Sequence, residues 1–187
     1  GHANYGWLDT WHSFSFGNYH DPHRLHFGAL RVLNDDTVAP GAGFGKHAHE
    51  NMEIITIPLS GSLVHEDDKG NKGLIQPGDV QVMSAGTGIM HSEKNGASDV
   101  PAAFLQLWIF PNEEAVAPPY GQLSFRTTDK QNKLLTLVSP IGSTDGGIGI
   151  HQHAWLNMGS LEKATTHRYQ IQKKGNGVYA FLLTGDV

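Results

Sequence analysis

The sequence contains no cysteine, no long apolar run and no cluster of basic residues, and each absence removes a class of protein. Without cysteine there is no disulfide, no thiolate zinc or iron–sulfur site and no thiol nucleophile, so any metal must be held by imidazole and carboxylate. No stretch approaches the roughly 20 apolar residues that cross a bilayer, and no charged-then-apolar leader is visible. A soluble, cytoplasmic protein without a membrane partner is expected. The formal charge of −5 is spread without a basic run, which leaves no electrostatic footprint for a phosphate backbone, so direct nucleic-acid binding is not expected. The first residue is Gly1 rather than Met, and Val187 follows "AFLLTGD" as though a strand were beginning. Both ends are expected to be incomplete.

What is present is short and punctuated. Apolar runs such as "LHFGALRVLNDD", "MEIITIPLSGSLVHEDD", "DVQVMSA", "AAFLQLWIFP", "KLLTLVSP" and "GVYAFLLTGDV" are separated by glycine, proline and Asn/Asp, and none sustains a helical period. Alternation, β-branched and aromatic content, and turns such as "DDKGNKG" and "QPGD" predict strands and hairpins, hence an all-β sandwich or barrel. Pro58 inside one of these runs predicts an edge or a bulge. The segment "PNEEAVAPPYGQLSF", residues 111–125, is the best linker candidate, because Pro111, Pro118 and Pro119 interrupt regular structure. A boundary is placed near residue 120, giving one full domain (1–120) and the start of another (121–187) within 187 residues.

The chain has twelve histidines, and two stretches organise some of them: "GFGKHAHENMEI" (43–54) and "GIMHSEKN" (88–95). Side chains on a strand alternate faces, so His47 and His49 project to one side, as do His91 and Glu93. If the two strands meet across a barrel interior, three imidazoles and one carboxylate converge and leave room at an octahedral metal. Fe(II), Mn, Co, Ni, Cu and Zn all accept such donors. Gly43, Gly45, Gly86 and Gly88 allow positive φ and close backbone approach just ahead of the ligands. Glu53 shares the face parity of His47 and His49 and is a rival for the carboxylate position, or an acceptor that orients an imidazole. His151 and His153 repeat the His-x-His spacing without a nearby Glu or glycine-rich approach and are read as incidental. The N-terminal "GWLDTWHSFSFGNYHDPHRLHFG" is assigned to core and edge-strand packing rather than to an aromatic cage, and no role is given to His2, His12, His20, His23 or His26.

"GWLDTWHSFSF", "ALRVLNDD", "GFGKHAHENMEI" and "SAGTGIMHSEKN", in this order, closely resemble the pirin family of the cupin superfamily. The likeness covers residues 1 to about 125 and extends more loosely through the second half. It implies a bicupin of double-stranded β-helix (jelly-roll) type with an incomplete second domain that carries no metal site. Gly41, His47, His49, Glu53 and Gly61 approximate the first cupin motif; in the second, Ser84 stands where cupins often have proline, while His91 and Asn95 remain. Pirins share that departure, so the resemblance makes His47, His49, His91 and Glu93 the metal ligands and leaves Glu53 outside the coordination shell. It also implies one divalent transition metal, Fe(II) first and Ni, Co, Mn, Cu or Zn as alternatives. The implied activity is that of quercetin 2,3-dioxygenases, which open flavonols with O2 and release carbon monoxide. Glu93 would then serve as both ligand and general base, with Phe44, Met90 and the strand containing Phe104, Gln106 and Trp108 as pocket walls. The alternative is an iron-dependent, redox-responsive regulator that binds a transcription factor or a metabolic enzyme.

Overall fold

The computed structural model describes residues 1–185 and is built from strands, apart from a single 3-10 turn at Thr127–Lys130. The first strands are β1 (His2–Asn4), β2 (Leu8–His12), β3 (Leu30–Val38), β4 (Gly43–His49), β5 (Glu53–Ser60), β6 (Leu63–Asp67) and β7 (Lys72–Ile75). They are followed by β8 (Asp79–Ser84), β9 (Ile89–Asn95), β10 (Ala102–Ile109), β11 (Tyr120–Ser124), β12 (Leu135–Pro140), β13 (Ile148–Ile150) and β14 (Leu156–Met158). These form a seven-stranded sheet in the order β1-β2-β3-β10-β5-β8-β11, a four-stranded sheet β4-β9-β6-β7 and a three-stranded sheet β13-β12-β14. Among the described residues no helix is long and apolar enough to cross a membrane.

The seven-stranded sheet is covered on both faces, and the pleat decides which residue serves which side. Ile55, Ile57, Leu105 and Leu107 pack with Leu137, Val138 and Ile150 of the three-stranded sheet. The alternate residues face the four-stranded sheet: Phe104 packs with Val38 and Leu63, and Ile54 with Met83 and Ile89. Strand β5 therefore reads as an unbroken apolar run from Ile54 to Ile57 except for Thr56, as expected of a strand buried on two sides. Thr56 is the residue that turns out to serve the site. Phe104 is fully buried, a contribution of roughly 1.5–3 kcal/mol for a side chain of this kind.

Pro58 marks a bulge. Phe104 pairs with Pro58 and Ala103 with Ser60, so one residue of β5 is looped out immediately after the proline. β8 pairs only with Glu53–Thr56 of β5, so no ladder hydrogen bond is asked of Pro58 on that side. The turns at "DDKGNKG" and "QPGD" close β6–β7 and β7–β8, the second through the Asp79 amide donating to the Gln76 carbonyl (2.8 Å). Within the candidate linker, residues 110–119 have no strand, whereas Tyr120–Ser124 pair with β8 as the outer strand of the large sheet.

One predicted strand does not form. Residues 177–185 of "GVYAFLLTGDV" carry no ladder, because no other strand lies alongside among the described residues. The segment is held instead through Tyr179, whose ring packs against Phe14 and Phe27, both at 5.5 Å between centroids. The last two residues of that motif, 186 and 187, lie outside the described residues.

Candidate metal centre

The pairing of β4 with β9 brings the two histidine-bearing stretches together. His47 lies opposite His91 and Phe44 opposite Glu93, with the register shifting between those pairs. Gly45 and Lys46 thus form a bulge, a device that re-aims the side chain that follows it. His47 Nδ1 lies 2.7 Å from the Gly45 carbonyl. Donation from Nδ1–H fixes the tautomer and leaves Nε2 bare toward the interior. Gly43 is needed for a different reason. A Cβ there would sit 2.4 Å from the Glu93 carbonyl oxygen and 2.4 Å from Lys94 Cα, so only glycine permits this approach of β4 to β9. Gly88, with φ of +117°, supplies the positive-φ turn ahead of β9. Gly45 has neither a positive φ nor a crowded Cβ; its contribution is the bulge carbonyl.

His47, His49 and His91 have ring centroids 4.3–5.0 Å apart, and each offers a nitrogen within 4.8 Å of the others. Burial pushes the His91 imidazole down to about 3, with His47, His49 and His65 adding to the effect. Burial, then His47, pushes His49 down to about 4. Both rings are therefore neutral at physiological pH, the form that binds a cation. His91 Nε2 is buried and has no hydrogen-bond partner among the described residues. A buried lone pair facing two other imidazoles without a donor is what a metal ion would satisfy.

Glu93 stands one step away. It is 2% exposed and groups with His91 and His65, not with His47 and His49. The Thr56 hydroxyl donates to Oε1 (3.0 Å) and Gln106 Nε2 donates to Oε2 (3.1 Å). Burial pushes its carboxyl up to about 7, against the pull of the Thr56 bond and with the Asp36 charge adding.

A cavity of about 210 Å³ opens beside these groups, lined by Phe44, His47, His49, Glu93, Gln106 and Trp108 from the barrel and by Tyr5, Leu8, Thr10, His12 and Phe16 from the N-terminal segment. The N-terminal aromatics and histidines thus do more than pack at an edge. Phe16 meets Trp108 edge-on at 5.3 Å, and His12 Nε2 bonds the Thr10 hydroxyl at 2.9 Å, which in turn bonds Asp36. Among the expected walls, Gln106 and Trp108 face the cavity and Phe104 lies in the core between the sheets. Met90 does not line this cavity. It alternates with His91 on β9 and is therefore turned to the outer face, 43% exposed.

Glu53 does not compete for the metal position. A turn at Asn51, φ +47°, separates it from His49 and starts β5 in the other large sheet, which breaks the parity that sequence spacing suggested. Its carboxylate accepts the Ser84 hydroxyl (2.7 Å) and lies 3.2 Å from His151 Nδ1. His151 is thus a partner of Glu53, and His153 lies beside Asn112. Asn95, at the end of β9, donates to the Val38, Ala39 and Val100 carbonyls and holds the barrel closed there. His65, on β6 next to β9, was not legible as a site residue. The only signal was its spacing, His65-x-Asp67, which puts an imidazole and a carboxylate on one face as His47-x-His49 does for two imidazoles.

Two family models match separate parts of the chain. Residues 1–109 match the Pirin family model, and residues 136–187 match that of the quercetinase C-terminal cupin domain. The quercetin 2,3-dioxygenase of Escherichia coli K12 is 47% identical over 171 residues, spanning 91% of this chain and 72% of that protein. A pirin-like protein of Caulobacter vibrioides is 41% identical over 177 residues, 95% of this chain and 76% of that protein. The crystal structure of the bacterial pirin YhhW from Escherichia coli in complex with nickel(II) superposes with a TM-score of 0.78 at 46% identity, covering 84% of this chain and 66% of that chain. The all-β fold, the paired His-bearing strands and the extent of these matches together mean that the chain belongs to the pirin family of cupins.

Proposed function

We propose that this chain is the metal-bearing portion of a dioxygenase that opens flavonols such as quercetin with O2 and releases carbon monoxide. The observation that carries the proposal is the bare, buried Nε2 of His91 facing His47 and His49 at the wall of an aromatic-lined cavity. His47, His49 and His91 would hold one divalent ion, with Glu93 as the fourth ligand. Fe(II) is the first candidate, and the nickel(II) complex of a bacterial pirin makes nickel the second. Bound there, the ion supplies Lewis acidity, lowering the pKa of a hydroxyl it contacts and making an enolate accessible at neutral pH.

The chain's own residues account for orientation and proton movement. Glu93, held by Thr56 and Gln106, would take the proton from the flavonol 3-hydroxyl onto its carboxylate on leaving the ion. Trp108 meets His49 edge-on at 4.9 Å and offers a flat wall to the rings. Phe44 and Phe16 supply further apolar contacts. At about 210 Å³ the cavity is smaller than the roughly 300–1,000 Å³ typical of sites that enclose a drug-sized ligand, so the reacting ring is enclosed and the remainder of a flavonol lies toward the mouth.

The test is aerobic incubation of quercetin with protein loaded separately with Fe(II) and Ni(II). Loss of the flavonol absorbance with one carbon monoxide released per substrate supports the enzyme, as does abolition of turnover by Glu93→Ala. Intact flavonol with fully loaded protein would overturn the proposal and favour the iron-dependent regulator that binds a partner protein.

A further inference from the structure

Strand β6 pairs with the other edge of β9, placing His65 opposite Glu93 and Asp67 opposite His91. His65 is fully buried, and so is the Asp67 side chain. Neither belongs to the three-histidine cluster. His65 Nδ1 faces His91 Nδ1 at 3.5 Å, and His65 Nε2 faces Asp67 Oδ2 at 3.4 Å. Asp67 is itself pinned: the backbone amides of Lys69 and Asn71 donate to Oδ1 (both 2.9 Å) and Asn71 Nδ2 donates to Oδ2 (2.8 Å). Tyr120 packs against the His65 ring at 5.1 Å and limits its rotation.

Donor and acceptor bookkeeping fixes every proton in this row. A carboxylate that receives three N–H groups is an acceptor, so the ring nitrogen facing it, His65 Nε2, carries a hydrogen. A neutral His65 then has a bare Nδ1. The atom opposite, His91 Nδ1, must be the donor, and a neutral His91 with hydrogen on Nδ1 has its lone pair on Nε2. That is the nitrogen with no partner, facing His47 and His49. We infer that Asp67 and His65 are positioning residues that set the tautomer and ring orientation of His91 for metal binding. The two imidazole contacts are long for hydrogen bonds, so their role is to select one ring state rather than to add much stability. Partners of this kind behind a ligand histidine are worth about 10- to 100-fold in metal affinity.

The inference rests on His91 being a ligand, and the experiment separates the two. Chelator-treated protein is titrated with Co(II), followed by visible absorption for affinity and by proton NMR for the hyperfine-shifted ring N–H signals of bound histidines. In the wild type, the His91 Nδ1–H gives a shifted signal that exchanges slowly in D2O because it is buried. Asp67→Asn offers an amide donor to His65 Nε2, drives the His65 hydrogen onto Nδ1, and sets donor against donor at His91. His65→Leu removes the acceptor outright, whereas His65→Asn keeps one. Expected are a 10- to 100-fold loss of Co(II) affinity in Asp67→Asn and His65→Leu, a displaced or lost slow N–H signal, and partial recovery in His65→Asn. Wild-type protein that takes up no Co(II) overturns the ligand assignment and this inference with it. Tight wild-type binding with affinities and the N–H signal unchanged in Asp67→Asn and His65→Asn overturns the positioning role alone. These two variants keep the test decisive if His65→Leu fails to fold.

Discussion

Asp36 offers a prediction that depends on the buried polar wall of the cavity and not on any metal. Its side chain sits on β3 between the sheets, 3% exposed, and among the described residues its only hydrogen-bonding side chain is the Thr10 hydroxyl. Burial raises its pKa from 3.8 to about 7, opposed by the Thr10 bond and assisted by Asp35. A rise of about 3 units at about 1.4 kcal/mol each corresponds to about 4 kcal/mol between the folded and unfolded states. Between about pH 4 and 7 the folded chain keeps a proton on Asp36 that the unfolded chain has released. The stability present below the unfolded pKa is therefore lost as pH rises toward the folded one, and is flat above it. Asp36→Asn keeps the shape and an acceptor for the Thr10 hydroxyl while removing the titration. Urea unfolding of chelator-treated protein, followed by tryptophan fluorescence at pH 5 and pH 8, measures the difference. The wild type should lose about 2–3 kcal/mol more than the variant across that interval, which covers about two of the three units, and the variant should be the more stable protein at pH 8. Carboxylates remote from Asp36 cancel in the comparison, and Glu93, whose pKa the Asp36 charge helps to raise, shifts the difference in the same direction. Parallel pH profiles for the two would refute the burial argument.

Three further changes test other parts of the account. Gly43→Ala places a methyl 2.4 Å from backbone atoms of Glu93 and Lys94, so β4 and β9 must separate; a loss of about 1–3 kcal/mol in urea unfolding and weaker metal uptake in equilibrium dialysis are expected together. Gln106→Leu removes the donor to Glu93 Oε2 and the acceptor for Trp108 Nε1; about 1–3 kcal/mol of stability should go, and flavonol turnover in the aerobic absorbance assay should fall. Leu137→Ala empties a site where the three-stranded sheet meets the large one; a shift of the whole urea transition by about 2–5 kcal/mol is expected, with no separate second transition.

The sequence was most legible where a strand's own period carried the information. His47 and His49, and His91 and Glu93, were correctly set on shared strand faces, and the structure brings the three imidazoles together. Period alone also carried errors. Met90 was counted as a wall although it alternates with His91, and Glu53 was given the parity of His49 across a turn that resets it. What could not be read was pairing between distant strands. Thr56 and Gln106 reach Glu93 from β5 and β10, 37 and 13 residues away in sequence, and His65 comes to His91 only because β6 lies beside β9. The N-terminal aromatics were assigned to packing for the same reason: nothing local in "GWLDTWHSFSF" reveals that Thr10, His12 and Phe16 end at the cavity. Pro58 was the opposite case, since its missing amide forces a local consequence and the bulge is where the residue type demands it.

Binding of a single divalent ion by His47, His49 and His91 is the step on which the chemistry of the site depends. Its most direct test is the metal content of chelator-treated protein after dialysis against Fe(II) under anaerobic conditions, and separately against Ni(II), measured by mass spectrometry alongside His91→Ala, His47→Ala and the exposed-site control His23→Ala. One ion per chain in the wild type and the control, with little or none in the two cluster variants, is the expected result. Equal metal content in all four proteins would contradict it.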